Sequence, residues 1–167
     1  MAASPARNDS SLTLDVVSDL EIVLTRSFDA PRALVFKTMT DAAMIPKWWG
    51  PRDATTVVDK MDVRRGGEWR FRTTMSNGEW TAFRGTYEDV TPPERLVYTF
   101  EWEGLPGHVS RESITLREED GRTIVTNTVR FDSVEDRDGM LRSGMQKGAT
   151  ETMDRLAALL QQLPTRG

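Results

Sequence analysis

The stretch SVEDRDGMLRSGMQKGATETMDRLAALLQQL, residues 133–163, decides the fold. Its apolar and small side chains recur every three or four residues, which is the spacing of one face of an α-helix. That face consists of Met145, Ala149, Thr152, Met153, Leu156, Leu160 and Leu163. Ser133 is a good N-cap, and Pro164 stops the helix. The sequence therefore predicts one long amphipathic C-terminal helix, whose apolar face must be buried against another element.

Upstream of this helix, the apolar pattern changes to the two-residue period of β-strands. Seven strands are predicted, at residues 20–28, 55–63, 68–74, 80–90, 96–103, 108–118 and 122–131. The connections between the last six strands are too short for a crossover, so the sheet is antiparallel. Two short helices are predicted between the first two strands, at residues 34–39 and from residue 40 to about 46. The predicted fold is thus α+β, with a curved seven-stranded antiparallel sheet wrapped around the C-terminal helix.

Residues 19–164 are expected to form a single domain. The chain has 167 residues, near the usual size of one domain, and no linker or internal repeat interrupts the pattern. Residues 1–18 are small, polar and non-periodic, and we interpret them as a tail with a short extended piece at residues 12–17. In the second predicted strand, Val57, Met61 and Val63 are expected to share one face.

The composition excludes several classes of protein. With 22 basic and 26 acidic side chains, the formal net charge is −4, which does not favour binding to a nucleic-acid backbone. Cysteine is absent and His108 is the only histidine, so disulfides, thiolate nucleophiles and multi-histidine metal sites are excluded. We predict neither a metal nor another cofactor. No apolar stretch approaches the length of a membrane span, and residues 1–15 do not resemble a signal peptide, so we expect a cytoplasmic protein.

A pocket is predicted beside the first half of the C-terminal helix. The helix surface is low there, because Gly139, Gly144, Gly148 and Ala149 all lie in it. A twisted sheet is curved whereas a helix axis is straight, so the two are expected to separate where the helix surface is low. The facing strands carry large rings, which suit a flat apolar ligand.

The predicted ligand-binding residues combine these rings with the helix segment and two ionisable groups. They are Trp49, Trp69, Phe71, Tyr87, Tyr98, Phe100, Trp102, His108, Glu112, Met140, Gly144, Met145 and Gly148. The alternative is that the rings form a solid core, with Trp48-Trp49-Gly50-Pro51 packed as a cap on its end rather than as a pocket rim.

Glu112 and His108 are the two candidate catalytic residues, although no complete catalytic motif is recognisable. Alternation places both on the strand face that carries Ile114 and Leu116, so Glu112 is expected to reach toward the pocket. A carboxylate in an apolar pocket has a raised pKa and can act as a general acid or base. The alternative is that Glu112 pairs with a neighbouring arginine or lies near the exposed strand end, and that His108 is structural.

Several short motifs follow one another in a specific order and spacing. They are Phe28-Asp29-Ala30-Pro31, Trp48-Trp49-Gly50-Pro51, Arg65-Gly66-Gly67 with Trp69 and Phe71, Gly85-x-Tyr87, Pro92-Pro93-Glu94-Arg95-Leu96-Val97-Tyr98, and Gly144-Met145 before Arg155-Leu156. Together they resemble the AHSA1-like branch (activator of Hsp90 ATPase homologue) of the START/Bet v 1-like (SRPBCC) superfamily, over roughly residues 20–163. The resemblance implies a helix-grip fold with a hydrophobic ligand cavity.

Three functions are open at this point. The first is a non-enzymatic carrier or sensor, in a stress-related role, that binds a small hydrophobic molecule. The second is a cyclase-like enzyme that uses the same pocket, with Glu112 or His108 as the acid–base group. The third is an Hsp90-type co-chaperone or protein-interaction module, with a chaperone as its partner. The sequence leaves both a monomer and a homodimer open.

Overall fold

Eight strands form one antiparallel sheet in the computed structural model, which describes residues 11–164. The strands are β1 (Thr13–Val16), β2 (Glu21–Phe28), β3 (Thr55–Met61), β4 (Glu68–Thr74), β5 (Trp80–Thr91), β6 (Arg95–Trp102), β7 (Val109–Glu119) and β8 (Arg122–Arg130). The helices are α1 (Arg32–Thr40), α2 (Ile45–Trp48), α3 (Val134–Arg142) and α4 (Met145–Gln162). This element order confirms the predicted helix-grip fold, with both short helices between β2 and β3.

The strand order across the sheet is β1-β2-β8-β7-β6-β5-β4-β3. Strands β3 to β8 form a meander, whereas β2 pairs with β8, beginning with Glu21 opposite Arg130. β1 pairs with β2 at the sheet edge, so the extended piece predicted at residues 12–17 is an eighth strand. Residues 1–10 of the predicted tail lie outside the described residues.

The predicted C-terminal helix is two helices rather than one. α3 ends at Arg142 and α4 begins at Met145, and Gly144 between them has a φ of +86°, a left-handed conformation that favours glycine. Ser133 caps α3 as predicted, since its Oγ accepts a hydrogen bond of 3.0 Å from the amide of Asp136. The helical spacing of apolar residues continues on both sides of Gly144, so the pattern does not reveal the break.

The prediction that Val57, Met61 and Val63 share one face of a strand is wrong at Val57. The pairing of β3 with β4 shifts between Val58 and Lys60, which inserts Asp59 as an extra residue. A bulge of this kind interrupts the two-residue alternation. As a result Val57 is 43% exposed, and Thr56 is buried instead.

The second short helix is a single turn at Ile45–Trp48, later than predicted. Pro46 lies in its first turn, where the missing N–H is tolerated. The Trp48 side chain is buried and donates a hydrogen bond of 3.3 Å from Nε1 to the Thr38 carbonyl. Trp48 therefore packs as part of the core. Its neighbour Trp49 is only partly buried.

The core divides into two clusters on the inner face of the sheet, which is the face that α4 covers. The larger cluster joins α1, α2 and the middle of the sheet to Leu156, Leu159 and Leu160 of α4. The smaller cluster consists of Ile22, Leu24, Val129 and Phe131, against which Met140, Leu141 and Met145 pack. In the described part of the chain, no helix combines the length and apolar character needed to cross a membrane.

Candidate functional site

The two halves of α4 differ in how completely the sheet covers them. In the second half, Leu156, Leu159 and Leu160 are buried. In the first half, Met145, Gly148, Ala149, Thr152 and Met153 all remain partly exposed, although most of them belong to the same apolar stripe. The inward side of the helix is therefore less completely covered along its first half than along its second half.

Polar contacts fix α4 from its middle onward. The Arg155 guanidinium donates hydrogen bonds of 3.0 and 3.1 Å to the carbonyls of Gly50 and Pro51, and the Thr152 hydroxyl donates one of 3.2 Å to Gly50. On the other flank, Asp154 accepts a bond of 2.7 Å from the buried Arg26 of β2. These contacts also hold the loop that carries Trp49.

Seven rings, which we call the aromatic cluster, touch one another on the inner face. They are Trp49, Trp69, Phe71, Phe83, Tyr87, Tyr98 and Phe100. Trp49 meets Phe71 at a centroid distance of 5.1 Å and Phe83 at 5.2 Å, and Trp69 meets Tyr98 at 5.7 Å. Six of the seven predicted pocket rings are thus brought together in one surface.

The aromatic cluster differs from the prediction at two rings. Trp102 lies outside it, and Phe83, which was not predicted, belongs to it. Trp102 ends β6, is 43% exposed and packs beside Gly104. Phe83 pairs directly with Phe71 across the hairpin. The position of Phe83 in the sequence could have indicated this pairing, because Phe71 and Phe83 are the same number of residues from Asn77 in the turn.

The four helix residues predicted to bind ligand occupy two environments. Met140 and Met145 pack against the smaller core cluster. A Cβ atom added at Gly144 or at Gly148 would meet no atom within 4 Å, so both glycines face open space. Gly144 also has a positive φ and tolerates a side chain poorly, whereas Gly148 has no such restriction.

Glu112 is the centre of a polar group on the inner face of β6, β7 and β8. Its Oε1 accepts a hydrogen bond of 3.0 Å from the Tyr98 hydroxyl and one of 2.9 Å from Asn127 Nδ2. Asn127 was not predicted, although a polar residue among the inward residues Thr123, Val125 and Val129 could have indicated it.

Burial of the Glu112 carboxyl raises its pKa above the ordinary value of 4.5, although the hydrogen bonds from Asn127 and Tyr98 act in the opposite direction. Glu112 is partly exposed as a residue, but its carboxyl group lies deep enough for desolvation to outweigh both bonds. Burial, and then the nearby Glu112 charge, raises the pKa of Tyr98 well above its ordinary value. Among residues 11–164 no arginine pairs with either group. The Glu112 side chain points inward, toward Tyr98 and Asn127, as predicted.

His108 lies apart from this polar group. Its Nδ1 is 2.7 Å from Asp136 Oδ1 of α3, and its side chain is 49% exposed. It is four positions from Glu112 in the sequence, a distance of about 13 Å along an extended chain. The two candidate catalytic residues therefore have separate hydrogen-bond partners and do not form one group.

We expect Glu112→Gln to raise the free energy of unfolding at neutral pH. A carboxyl whose pKa is higher in the folded state than in the unfolded state contributes stability that is present below the unfolded value and is lost as the pH rises through the folded value. Glutamine stays neutral and its amide oxygen can accept the same bonds. In urea unfolding, the stability advantage of the variant should grow from about pH 4 to pH 8; an advantage that shrinks over this range would contradict the burial of Glu112.

Two open depressions lie elsewhere on the described surface. One, of about 520 Å³, is lined by the end of β2, Arg122 and the second half of α4. The other, of about 460 Å³, lies across β4, β5 and β6 among charged side chains such as Arg70 and Glu103. Neither is bordered by the first half of α4. Within residues 11–164, no three or more histidine, aspartate or glutamate side chains are grouped to hold a metal ion.

Solved structures share this fold over nearly the whole chain. A Rhodobacter sphaeroides protein is 22% identical and superposes with a TM-score of 0.86 over 92% of this chain and 99% of its own. A Chromobacterium violaceum protein is 26% identical, with a TM-score of 0.73 and coverage of 86% and 99%. The AHSA1 protein of Silicibacter pomeroyi is 24% identical, with a TM-score of 0.72 and coverage of 85% and 98%.

Comparison of the amino-acid sequence with known families identifies the family of this chain. No curated protein is significantly similar to this chain. The model of the family described as "Activator of Hsp90 ATPase homolog 1-like protein" matches residues 29–161, which runs from the end of β2 almost to the end of α4. The match covers most of the chain and includes the aromatic cluster, Glu112 and Asn127. The chain therefore belongs to the AHSA1-like family.

Proposed function

We propose that this protein binds a small apolar molecule between the first half of α4 and the aromatic cluster, as a carrier or sensor that does not change the molecule chemically. The observation that carries the proposal is that inward-facing side chains remain partly exposed both on the sheet and on α4. Trp49, Tyr98 and Phe100 of the aromatic cluster are only partly buried, and so are Met145 and Met153 of α4. Apolar side chains that face inward yet remain accessible are typical of a pocket wall.

The chemistry of the two surfaces favours a flat apolar ligand. Aromatic rings present large flat faces, and methionine side chains adapt to irregular shapes. Gly148 keeps the helix side low, since no atom lies within 4 Å of its Cβ position. The ligand would thus be enclosed between a rigid aromatic wall and an adaptable helix wall.

The position of Trp49 supports a preformed site. Its carbonyl accepts a hydrogen bond of 2.7 Å from the Thr56 hydroxyl, and the next two carbonyls are held by Arg155. A ring on a loop fixed in this way loses little freedom on binding, which favours affinity.

Proton transfer in the same pocket is the second candidate function. The specific observation that favours it is the raised pKa of Glu112, which is typical of a general acid or base. Conversion of a bound ligand by the wild-type protein, and its loss in Glu112→Gln, would support an enzyme; unchanged recovery of the ligand supports a carrier.

We expect Gly148→Leu to weaken binding of the neutral apolar dye Nile red by at least about tenfold. The leucine side chain would enter the open space beside Gly148 and occupy the ligand volume. Because this space is open, folding should be retained, and the loss of a helical glycine should itself be stabilising by about 0.5–1 kcal/mol. Dye fluorescence gives the affinity and urea unfolding gives the stability.

Lys147→Leu is the matched control, because it adds the same side chain to the exposed outer face of α4. Dye binding should survive in this variant. Binding that also survives in a folded Gly148→Leu protein would place the pocket elsewhere. A loss of about 1–3 kcal/mol in Gly148→Leu would indicate instead that the space is solid core.

A further inference from the structure

Asn127 carries a buried hydrogen-bond acceptor without a partner. Among the residues that the structure describes, only Asn127 Oδ1 and Trp69 Nε1 are buried side-chain polar atoms that make no hydrogen bond. The Trp69 nitrogen is covered by the sheet itself, since it lies 2.6 Å from the Cβ position of Gly85. A buried polar atom left unpaired costs free energy, and native proteins seldom retain one without a reason.

The orientation of the Asn127 amide follows from chemistry. Its Nδ2 donates to Glu112 Oε1 at 2.9 Å, and that same oxygen accepts from the Tyr98 hydroxyl at 3.0 Å. A flipped amide would direct its oxygen at the carboxylate oxygen and bring two acceptors together. Oδ1 is therefore the atom left unpaired.

Strand pairing places Asn127 between the two core clusters. In the sheet it is opposite Leu24 of β2 and Ile114 of β7, which belong to the smaller and the larger core cluster respectively. Along the helix, Met145 packs against the smaller cluster and Met153 against the larger one. Asn127 thus lies at the boundary between the two clusters. The partly exposed turns of α4 between Met145 and Met153 cross this boundary.

We infer that the ligand of this pocket carries a hydroxyl or N–H group that donates a hydrogen bond to Asn127 Oδ1. This inference rests on the proposed function, and it adds the polar chemistry of the ligand to its apolar shape. An apolar ligand with a donor satisfies the unpaired oxygen. A ligand whose only polar group is a carboxylate offers it no donor and is disfavoured, because two acceptors would meet.

The test compares three probes of the same ring system on the full chain: β-naphthol, its methyl ether and β-naphthoate. The naphthol donates a hydrogen bond, whereas the ether and the naphthoate only accept. We expect β-naphthol to bind about tenfold more tightly than the ether, as one added hydrogen bond provides. The naphthoate should bind most weakly. Intrinsic probe fluorescence gives the dissociation constants.

The variant Asn127→Leu tests whether Asn127 Oδ1 causes the preference for naphthol, since leucine keeps the size of the side chain and removes the amide. The preference for naphthol over the ether should fall to about one, while the ether binds no less tightly than before. Thr128→Val, on the other face of β8, should keep the preference.

The outcomes separate the inference from the function on which it rests. Equal affinity of the wild-type protein for naphthol and ether would overturn the inference and leave the proposed function in place. Binding of none of the three probes would overturn both. A preference that persists in Asn127→Leu would overturn the assignment to Asn127. If that variant does not fold, the wild-type comparison alone decides whether the ligand needs a donor.

Discussion

Replacing Leu156 with alanine should lower the free energy of unfolding by about 2–5 kcal/mol, the cost of a large-to-small change in a close-packed core. Leu156 is 0% exposed and lies in the larger core cluster beside Leu159 and Leu160. The flanking contacts of Arg155 and Asp154 hold this part of α4 in place, so the helix is poorly able to shift and fill the cavity. Urea unfolding of the two proteins gives the difference.

The matched control for Leu156→Ala lies on the same stripe in the first half of the helix. Met145→Ala removes a large apolar side chain that is only partly buried, so its cost should be clearly smaller. Gln162→Ala, on the exposed side, should change stability by no more than about 0.5 kcal/mol. Equal losses at Leu156 and Met145 would show that α4 is packed evenly along its length, which would also argue against the pocket.

Gly85→Ala should cost at least the roughly 1–3 kcal/mol that overpacking typically costs. A Cβ atom at position 85 would lie 1.8 Å from the Thr99 carbonyl oxygen and 2.6 Å from Trp69 Nε1. The first is backbone of the adjacent strand and the second belongs to a buried ring, so neither can move aside cheaply. Because Trp69 contacts three rings of the aromatic cluster, tryptophan fluorescence should change together with stability.

Gly148→Ala is the opposite case and serves as the control. No atom lies within 4 Å of its Cβ position, and the residue is inside α4. Alanine there should stabilise the protein by about 0.5–1 kcal/mol, because it restricts the unfolded chain and favours the helix. The two glycine-to-alanine substitutions should thus change the free energy of unfolding in opposite directions. A Gly85→Ala protein as stable as the wild type would refute the close approach of β5 and β6.

The regular elements could be predicted because their signals are local. Strict alternation along β4 and β6 placed Trp69, Phe71, Tyr98 and Phe100 on one face, and the structure keeps them together. The departures come from local backbone geometry that interrupts these periods. The bulge at Asp59 has no special residue type, and the break at Gly144 falls within an unbroken helical period.

The candidate site was less predictable, because its contacts depend on register between distant segments. Alternation turned Glu112 inward, but its partners Tyr98 and Asn127 are set by how β6, β7 and β8 pair. The contact of His108 with Asp136 joins residues 28 positions apart across two elements, which no local pattern reports. Sequence reasoning thus identifies which residues face inward better than it identifies their partners.

The pairing of β2 with β8 also affects how the chain folds as it is made. Glu21 and Arg130, which pair at one end of these strands, are 109 positions apart. On the ribosome, β2 emerges before β8 is made, so the edge of β2 that pairs with β8 has no partner until synthesis has passed β8. The hairpins of β3 to β8 can form as they appear, because their contacts are local. Closure of the sheet is therefore among the last events, and until then an edge of β2 is exposed to pairing with other chains.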